Sequence, residues 1–246
     1  PAPGVVLVDG AELPPMPDAV LEDPGSARVD PRAWFTHPDR PFEIEIGPGK
    51  GAFLIQQGAL EPGTNSLGVE WAREFARYAA DRVRRRREHD GTHGNIRILH
   101  TDATQWLRWR VPDSIARVVH LYFSDPWPKS RHHKKRVVQH ATLVDIWRVL
   151  GDGGELRVVT DHDGLWAWDE AHFARWTGGS APEGSPPIPD PPPEAAALLA
   201  GRASPPFERL AFDRPESAGE HELVGTNFER KFREEGRSFH ACVLRK

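Results

Sequence analysis

The most constraining feature of this chain is a glycine-rich loop between a strand pattern and a helix pattern. Residues 42–46 alternate as a β-strand, Gly47-Pro48-Gly49-Lys50-Gly51 follows at once, and the apolar run 52–55 opens a helix. Glycines let the backbone turn tightly and approach a ligand with no Cβ in the way. This order is the opening of a nucleotide- or cofactor-binding α/β sheet. A plain strand-to-helix turn is the competing interpretation, and the spacing does not match a Walker A loop.

Carboxylates stand where the next predicted strands end. The strand 66–70 ends in Glu70, 19 residues after Gly51. In Rossmann-type folds a carboxylate at this position binds the ribose hydroxyls of the cofactor. Asp102 follows the strand 95–100. It is suited to accept from the exocyclic amine of an adenine, and equally to cap the helix that begins at Ala103.

Repeated strand and helix patterns predict a parallel sheet with helices on both faces. The helix 71–89 is predicted to bury Trp71, Phe75, Ala79 and Val83, which recur every four residues. Further elements are predicted as a helix over 137–150, a strand over 155–160, a strand over 207–212, a helix over 226–235 and a strand over 238–244.

A carboxylate, an aromatic residue and a cation cluster follow the fourth predicted strand, which begins at Val118. Prolines at 126 and 128 cannot continue a sheet, so Asp125 is predicted at the strand's carboxyl end, where ligands bind in open α/β sheets. Residues 129–136 hold five cations, two histidines and no carboxylate. This combination favours a site that acts on a nucleic-acid base. A solvated basic loop is the alternative, and Trp127 is predicted either to stack on the base or to pack beneath the loop.

The charge is unevenly distributed. Residues 1–40 are proline-rich and hold three arginines against seven carboxylates, whereas the remaining chain holds 29 basic and 29 acidic residues. Local cation clusters, rather than the net charge of −4, therefore define the electrostatic surface. We predict an acidic N-terminal arm over 1–40 and one domain over 41–246, with a proline-rich, flexible surface insertion at about 177–206.

The remaining composition bears on the compartment. Cys242 is the only cysteine and is predicted to lie buried in a strand, which fits a reducing compartment. No apolar run approaches the ~20 residues of a membrane span. The sequence therefore predicts a cytoplasmic protein with no membrane partner. A metal is not expected either, since His132 and His133 have no cysteine nearby.

Taken together, the motifs resemble one family. They are Glu45-Ile46-Gly47-Pro48-Gly49-Lys50-Gly51, Gly68-Val69-Glu70, Asp102-Ala103, Asp125-Pro126-Trp127-Pro128-Lys129 with Arg131-His132-His133-Lys134, Thr160-Asp161, and Thr226-Asn227-Phe228-Glu229. In this order, across residues 42–246, they resemble the bacterial tRNA (guanine-N7)-methyltransferases. The block that starts at Asp125 is far more specific than the glycine loop.

The resemblance implies a class I S-adenosylmethionine methyltransferase (Rossmann-like) fold, with a mostly parallel seven-stranded sheet, helices on both faces and an antiparallel last strand. It implies S-adenosylmethionine as cofactor, tRNA as partner, N7 of the variable-loop guanine at position 46 as the methyl acceptor, and a monomer or homodimer. It assigns catalysis to Asp125, cofactor binding to Glu45, Gly47, Gly49, Gly51, Glu70, Asp102, Ala103 and Asp125, and substrate binding to Lys129, Arg131, Asp161, Thr226, Asn227, Phe228 and Glu229.

Two features depart from the family, and three alternatives stay open. An acidic, proline-rich segment stands where the family usually carries a basic N-terminal arm, and the insertion after the fifth strand is unusual. The alternatives are a methyltransferase that acts on another substrate, a nicotinamide dehydrogenase, and a non-catalytic RNA-binding homologue. The basic segment argues against a small apolar substrate, and the set of carboxylates argues against a pure RNA-binding protein.

Overall fold

An eight-stranded mixed sheet forms the centre of the protein. The computed structural model describes residues 4–246, except for the side chain of Asn227. The strands are β1 (Leu7–Asp9), β2 (Phe42–Ile46), β3 (Asn65–Glu70), β4 (Ile96–His100), β5 (Ala116–Tyr122), β6 (Leu150–Thr160), β7 (Glu208–Leu210) and β8 (His240–Arg245). Their order across the sheet is β1-β4-β3-β2-β5-β6-β8-β7. Strands β1 to β6 pair in parallel, and β8 is antiparallel to both β6 and β7.

The α/β class, the mostly parallel sheet and the antiparallel last strand are therefore confirmed. The sheet has eight strands where the sequence predicted seven, because β1 adds a parallel edge strand beside β4. Three residues are too few to give a periodic sequence pattern, and β1 depends on its neighbour for hydrogen bonds.

Within residues 4–246, seven α-helices connect and cover the strands. They are α1 (Ala52–Leu60), α2 (Arg73–Asp90), α3 (Ala103–Arg110), α4 (His140–Val149), α5 (Asp163–Trp176), α6 (Pro193–Ala200) and α7 (Asn227–Glu234). The sequence-based prediction lacks α5 and α6. Helix α6 lies in the predicted insertion, where Ala195 is fully buried against the main core. This part of the insertion packs on the domain.

Both faces of the sheet are buried. In β2, Phe42, Ile44 and Ile46 face the main apolar core, and helices α3, α4 and α5 supply its other side. The alternate residues Glu43 and Glu45 are buried as well, 5% and 4% exposed. A strand that alternates apolar and acidic residues thus places two carboxylates inside the protein.

The predicted inward face of α2 is partly wrong. The helix buries Ala76, Ala79, Ala80 and Val83, whereas Trp71 and Phe75 are 66% and 38% exposed. The close approach of α2 to the glycine loop explains why the helix buries alanines rather than aromatic side chains. A Cβ on Gly51 would lie 3.1 Å from Cβ of Ala79, so only small side chains fit between them.

The N-terminal segment packs along the edge of the sheet. It contains β1 and four short 3₁₀ turns, the last of them Pro31–Trp34. Val8, Trp34 and Phe35 are buried in the main core, and Arg28 Nη1 donates to the carbonyl of Arg108, 2.7 Å away. The boundary near residue 40 stays a prediction.

Candidate active site

The glycine loop between β2 and α1 has the backbone that glycine permits. Gly47, Gly49 and Gly51 have φ angles of 70°, 56° and 70°, in the left-handed region that other residues rarely adopt. The N–H of Gly47 donates to the carbonyl of Val69 (2.9 Å), which fastens the loop to β3. A Cβ on Gly47 would meet nothing within 4 Å, so this side of the loop faces open space.

Glu70 holds the glycine loop in place from the end of β3. Its carboxylate is 4% exposed. Oε2 accepts from the N–H of Gly49 (2.9 Å), and Oε1 accepts from the N–H of Ala72 (2.9 Å). The predicted cofactor residue therefore shapes the loop that would surround a cofactor, and its oxygens have further lone pairs for a ligand.

Glu45 is a buried carboxyl group that has a backbone hydrogen bond with Leu54 but leaves one oxygen without a partner among the described residues. Its Oε2 is inaccessible and accepts no hydrogen bond within residues 4–246. Burial, with a smaller contribution from the charge of Glu70, raises the pKa of Glu45 to about 8. A buried carboxyl of this kind fits a ligand that brings a cation or a hydrogen-bond donor.

Asp102 caps helix α3. Its Oδ1 accepts from the N–H groups of Thr104 (2.8 Å) and Gln105 (3.1 Å), while the side chain stays exposed. The neighbouring Ala103 is 9% exposed. These hydrogen bonds match the prediction that Asp102 caps the helix. Contacts of Asp102 and Ala103 with a cofactor stay predictions.

Asp125 lies on a strained loop beyond the end of β5. The strand ends at Tyr122, and Asp125 is exposed three residues later. Phe123 and Trp127, on either side, have φ angles of 55° and 42°. They are two of the four non-glycine residues with positive φ within residues 4–246. Such strain is concentrated at functional sites, where the surrounding structure enforces it.

Trp127 packs against the basic segment that follows it. Its half-buried ring makes an edge contact with His132, with centroids 5.7 Å apart, and Lys135 Nζ lies 4.6 Å from its centroid. These contacts fit the packing alternative for Trp127. Base stacking by this ring stays a prediction.

Arg136 is not the phosphate-binding residue that a uniformly basic segment suggests. It is 4% exposed. Its Nε donates to the carbonyl of Pro126 (2.9 Å) and its Nη1 to that of Gly164 (3.3 Å), and its guanidinium stacks over Trp168. Arg136 therefore ties the Asp125 loop to the start of α5.

The other cations of this segment point outward. A 3₁₀ helix, Ser130–Lys135, carries most of them. The side chains of Lys129, Arg131, Lys134 and Lys135 are exposed. They form a basic surface directly after Asp125, suited to phosphates.

The predicted substrate residues near α7 divide into buried and exposed groups. Thr226 caps the helix, because its Oγ1 accepts from the N–H of Glu229 (3.1 Å). Phe228 is 52% exposed, and its ring approaches the glycine loop, since a Cβ on Gly49 would lie 3.8 Å from its Cε2. The side chain of Asn227 lies outside the described residues. Asp161 accepts from Arg237 Nη1 at 2.5 Å.

Glu229 is fully buried and organises the loop before α7. Its carboxylate accepts from the N–H groups of Leu223, Val224 (2.9 Å) and Gly225 (3.0 Å), and from Arg233 Nη2 (2.9 Å). All of these partners belong to the chain itself. A direct substrate contact stays a prediction, while the geometry gives Glu229 a part in positioning Thr226.

A buried polar chain beneath α1 is missing from the sequence-based site. His120 Nε2 lies 2.9 Å from Glu43 Oε2, and its Nδ1 lies 2.8 Å from the hydroxyl of Tyr122. Burial raises the pKa of Glu43, but the hydrogen bond from His120 and the charges of His120 and Arg117 outweigh burial and lower it to about 2. The alternation of residues 42–46 indicates that Glu43 and Glu45 share a face, but the partner of Glu43 on β5, His120, emerges only from the tertiary structure.

The described part of the chain offers neither a metal site nor a membrane-spanning helix. Histidine, cysteine and carboxylate side chains form no group of three there that is suited to a metal ion. Within residues 4–246, no helix is both long and apolar enough to cross a bilayer.

Comparison with known proteins identifies the family. A family model described as "Putative methyltransferase" matches residues 39–178. The chain is similar to the tRNA (guanine-N(7)-)-methyltransferase of Nitrobacter hamburgensis, with 40% identity over 157 residues, 63% of this chain and 59% of that protein. It is also similar to the protein of that name from Rhodopseudomonas palustris strain BisB18, with 37% identity over 177 residues, 70% of this chain and 67% of that protein. The chain spans less than two thirds of several other relatives.

A solved structure supports the fold. It is described as an antibiotic-related methyltransferase, and it matches 97% of this chain and 98% of its own with a TM-score of 0.52 and 13% identity. This likeness shows the class I methyltransferase fold alone. The family model covers more than half of the chain, and the Rhodopseudomonas palustris protein is covered over two thirds of its length. The chain therefore belongs to the tRNA (guanine-N7)-methyltransferase family.

Proposed function

We propose that this protein transfers a methyl group from S-adenosylmethionine to N7 of a guanine in tRNA. One observation carries the proposal: Asp125 stands exposed on a strained loop with exposed cations directly after it. Strand β5, which delivers Asp125, is the parallel neighbour of β2, which delivers Glu45 and the glycine loop. The carboxyl ends of adjacent parallel strands lie at one edge of a sheet, so methyl donor and acceptor would meet there.

The residues at this edge fit S-adenosylmethionine. Its amino-acid group carries an ammonium and its ribose carries hydroxyls, all of them donors. The buried Oε2 of Glu45 lacks a hydrogen-bond donor among residues 4–246. The Glu70 carboxylate accepts a hydrogen bond from Gly49 of the glycine loop. Glu45, Glu70, Asp102, Ala103 and the three loop glycines would hold the cofactor. When bound, it supplies an electrophilic methyl group on a sulfonium.

Asp125 acts by charge and orientation. Guanine N7 has an exposed in-plane lone pair, so this chain needs no general base to prepare it. Positive charge spreads into the purine as N7 takes the methyl group, and a carboxylate beside the base stabilises that charge. The same carboxylate accepts from the base edge and orients the ring. The packing of Phe123, Trp127 and Arg136 holds the loop in position.

The tRNA backbone is held by the exposed cations. Lys129 and Arg131 are exposed beside Asp125 and suit phosphate oxygens. Phe228, exposed beside Gly49, would contact the substrate from the side of α7, and Thr226 and Asp161 would complete the substrate contacts there. A cytoplasmic location belongs to the same proposal. It is favoured by the single cysteine of the chain, which lies buried and can form no intramolecular disulfide.

The direct test is methyl transfer from labelled S-adenosylmethionine to bulk tRNA, followed by nuclease digestion and identification of the nucleoside. We expect label in 7-methylguanosine. Label in another nucleoside, or none in a protein that binds S-adenosylmethionine, would overturn the proposed reaction.

Asp125→Asn tests the role of the carboxylate. We expect single-turnover transfer to fall roughly 10²-fold or more, as for other lost electrostatic groups, with cofactor affinity unchanged. Asp152→Asn is the matched control, because Asp152 is an exposed carboxylate near the amino end of β6, at the opposite edge of the sheet. An unchanged rate in Asp125→Asn would remove Asp125 from the mechanism.

A further inference from the structure

Helix α2 turns large aromatic side chains toward solvent. Phe75 is 38% exposed and Tyr78 is 52% exposed. Within residues 4–246 only eight large apolar side chains are exposed to this degree, and three of them, Trp71 included, lie within eight consecutive positions. Positions 75, 78 and 82 fall on one side of a helix, so these rings share a flank with Arg82.

Cations are interleaved with the rings on this flank. Lys50 Nζ lies 5.6 Å from the centroid of the Tyr78 ring, and Arg82 Nη1 donates to the carbonyl of Lys50 at 2.6 Å. Two acids of the helix pair with other arginines: Asp81 with Arg84 and Arg85, and Glu88 with Arg84. Glu74 is an exposed carboxylate one turn before Tyr78, so the cations outnumber the acids on this flank without excluding them. Among residues 4–246, the ion pairs do not involve Lys50 or Arg82, so their charges remain for an external partner.

We infer that this flank of α2, formed by Phe75, Tyr78, Arg82 and Lys50 and called here the α2 stripe, binds an unpaired segment of the RNA substrate. Aromatic rings that stack bases, next to cations that meet phosphates, are the recurring means of holding single-stranded nucleic acid. Lys50 belongs to the glycine loop, and Trp71 directly follows Glu70. The stripe therefore starts at the proposed active site and continues along α2 for about 10 Å from Phe75 to Arg82, at 1.5 Å per residue.

Charge selects RNA over a second copy of this chain as the occupant. Helix α2 holds seven arginines and four carboxylates. A twofold contact through the stripe would bring two copies of Arg82 and of Lys50 into one interface, which is repulsive. A polyanion meets the same cations favourably. This inference rests on the proposed function, since it names a binding surface for that substrate.

RNA affinity of single variants tests the stripe. Fluorescence anisotropy of the full-length protein with bulk tRNA and with a labelled single-stranded oligoribonucleotide gives the dissociation constants. We expect Tyr78→Ala and Phe75→Ala each to weaken binding at least about fivefold, the loss that corresponds to one stacked base. Tyr78→Phe keeps the ring and is expected to bind within about twofold of wild type. Trp71 is left unchanged because it adjoins the predicted cofactor residue Glu70.

Leu60→Ala is the matched control, because Leu60 is 51% exposed at the end of α1 and lies outside the stripe. Arg82→Gln is expected to reduce the slope of log affinity against log salt by about 0.7 for a single-stranded probe. Binding of S-adenosylmethionine is expected to be unchanged in all of these variants, which separates the stripe from the cofactor site.

Two results would overturn the inference while the proposed function stands. One is wild-type RNA affinity in Tyr78→Ala and Phe75→Ala, with tRNA methylation intact. The other is a dimer of the wild-type protein that dissociates in these variants without a change in RNA affinity, which would make the stripe a self-association surface. If the wild-type protein neither methylates nor binds tRNA, the proposed function is wrong, and the inference that the α2 stripe binds RNA is wrong with it.

Discussion

Replacing Glu45 by glutamine tests the most unusual group of the site. Burial and Glu70 raise the pKa of the Glu45 carboxyl to about 8 from an ordinary value of 4.5. In the unfolded chain the group loses its proton near pH 4.5, while the folded protein keeps it up to about pH 8. The unfolded state therefore binds fewer protons between these values, and the free energy of unfolding falls as pH rises.

The size of this effect follows from the two pKa values. Each pKa unit corresponds to about 1.4 kcal/mol, so the loss of stability approaches about 5 kcal/mol above pH 8 and is absent below about pH 4. Glutamine carries no titratable proton, so Glu45→Gln removes this dependence. We expect the variant to gain several kcal/mol relative to wild type between pH 5 and pH 8.

Urea unfolding at pH 5, 6, 7 and 8 measures the difference. The amide of glutamine brings its own hydrogen-bonding cost, but that cost is the same at every pH, so the change across the series isolates the carboxyl. Glu74→Gln, at an exposed carboxylate of α2, is the control and is expected to show no such trend. A stability difference between Glu45→Gln and wild type that stays constant from pH 5 to pH 8 would refute a buried, protonated Glu45.

Cofactor binding gives a second readout of the same group. A cationic ligand beside Glu45 favours the ionised carboxylate, so binding is expected to release a proton and to strengthen as pH rises toward about 8. Titration calorimetry of S-adenosylmethionine in buffers of different ionisation enthalpy measures that proton. The release is expected to be lost in Glu45→Gln.

Two further substitutions test how the site is held. Arg136→Gln leaves the carbonyl of Pro126 without its donor, so we expect a loss of about 1–3 kcal/mol in urea unfolding and slower methyl transfer. Arg136→Lys is expected to behave similarly, because an ammonium lacks the planar fork that spans two carbonyls; full rescue by lysine would instead indicate a phosphate contact. Gly68→Ala places a Cβ 2.5 Å from Leu54 Cδ1. It is expected to cost about 1–3 kcal/mol in the same assay, whereas Gly63→Ala, with open space around it, is expected to be neutral.

Local pattern was sufficient where one element determines its own structure. The alternation of residues 42–46 and the glycines that follow them correctly predicted β2 and the start of α1. The carboxylates Glu45 and Glu70 were placed at the sheet edge because a strand's end can be read from its own residues. The 3₁₀ turn Ser130–Lys135, its three exposed cations and the exposed Lys129 before it likewise agree with a basic segment that prolines separate from the sheet.

Pattern failed where the outcome depended on a second element. By spacing alone, Trp71 and Phe75 are as suitable for the buried face of α2 as Ala79. The helix lies so close to Gly51 that only small side chains fit there, so the alanines are buried instead. In the sequence Arg136 does not differ from its basic neighbours. In the structure its side chain is buried, because it donates hydrogen bonds to the carbonyls of Pro126 and Gly164.

The sequence by itself thus determined the order of strands β2 to β8, the glycine loop and the set of carboxylates, because these follow from residue type and short-range periodicity. The tertiary structure alone decided which side chains are buried and with what partners. Glu43 meets His120 across a strand pair, and Glu45 is left with an unpartnered oxygen and a raised pKa. Burial and charge pairing depend on residues far apart in the chain, so no local pattern contains them.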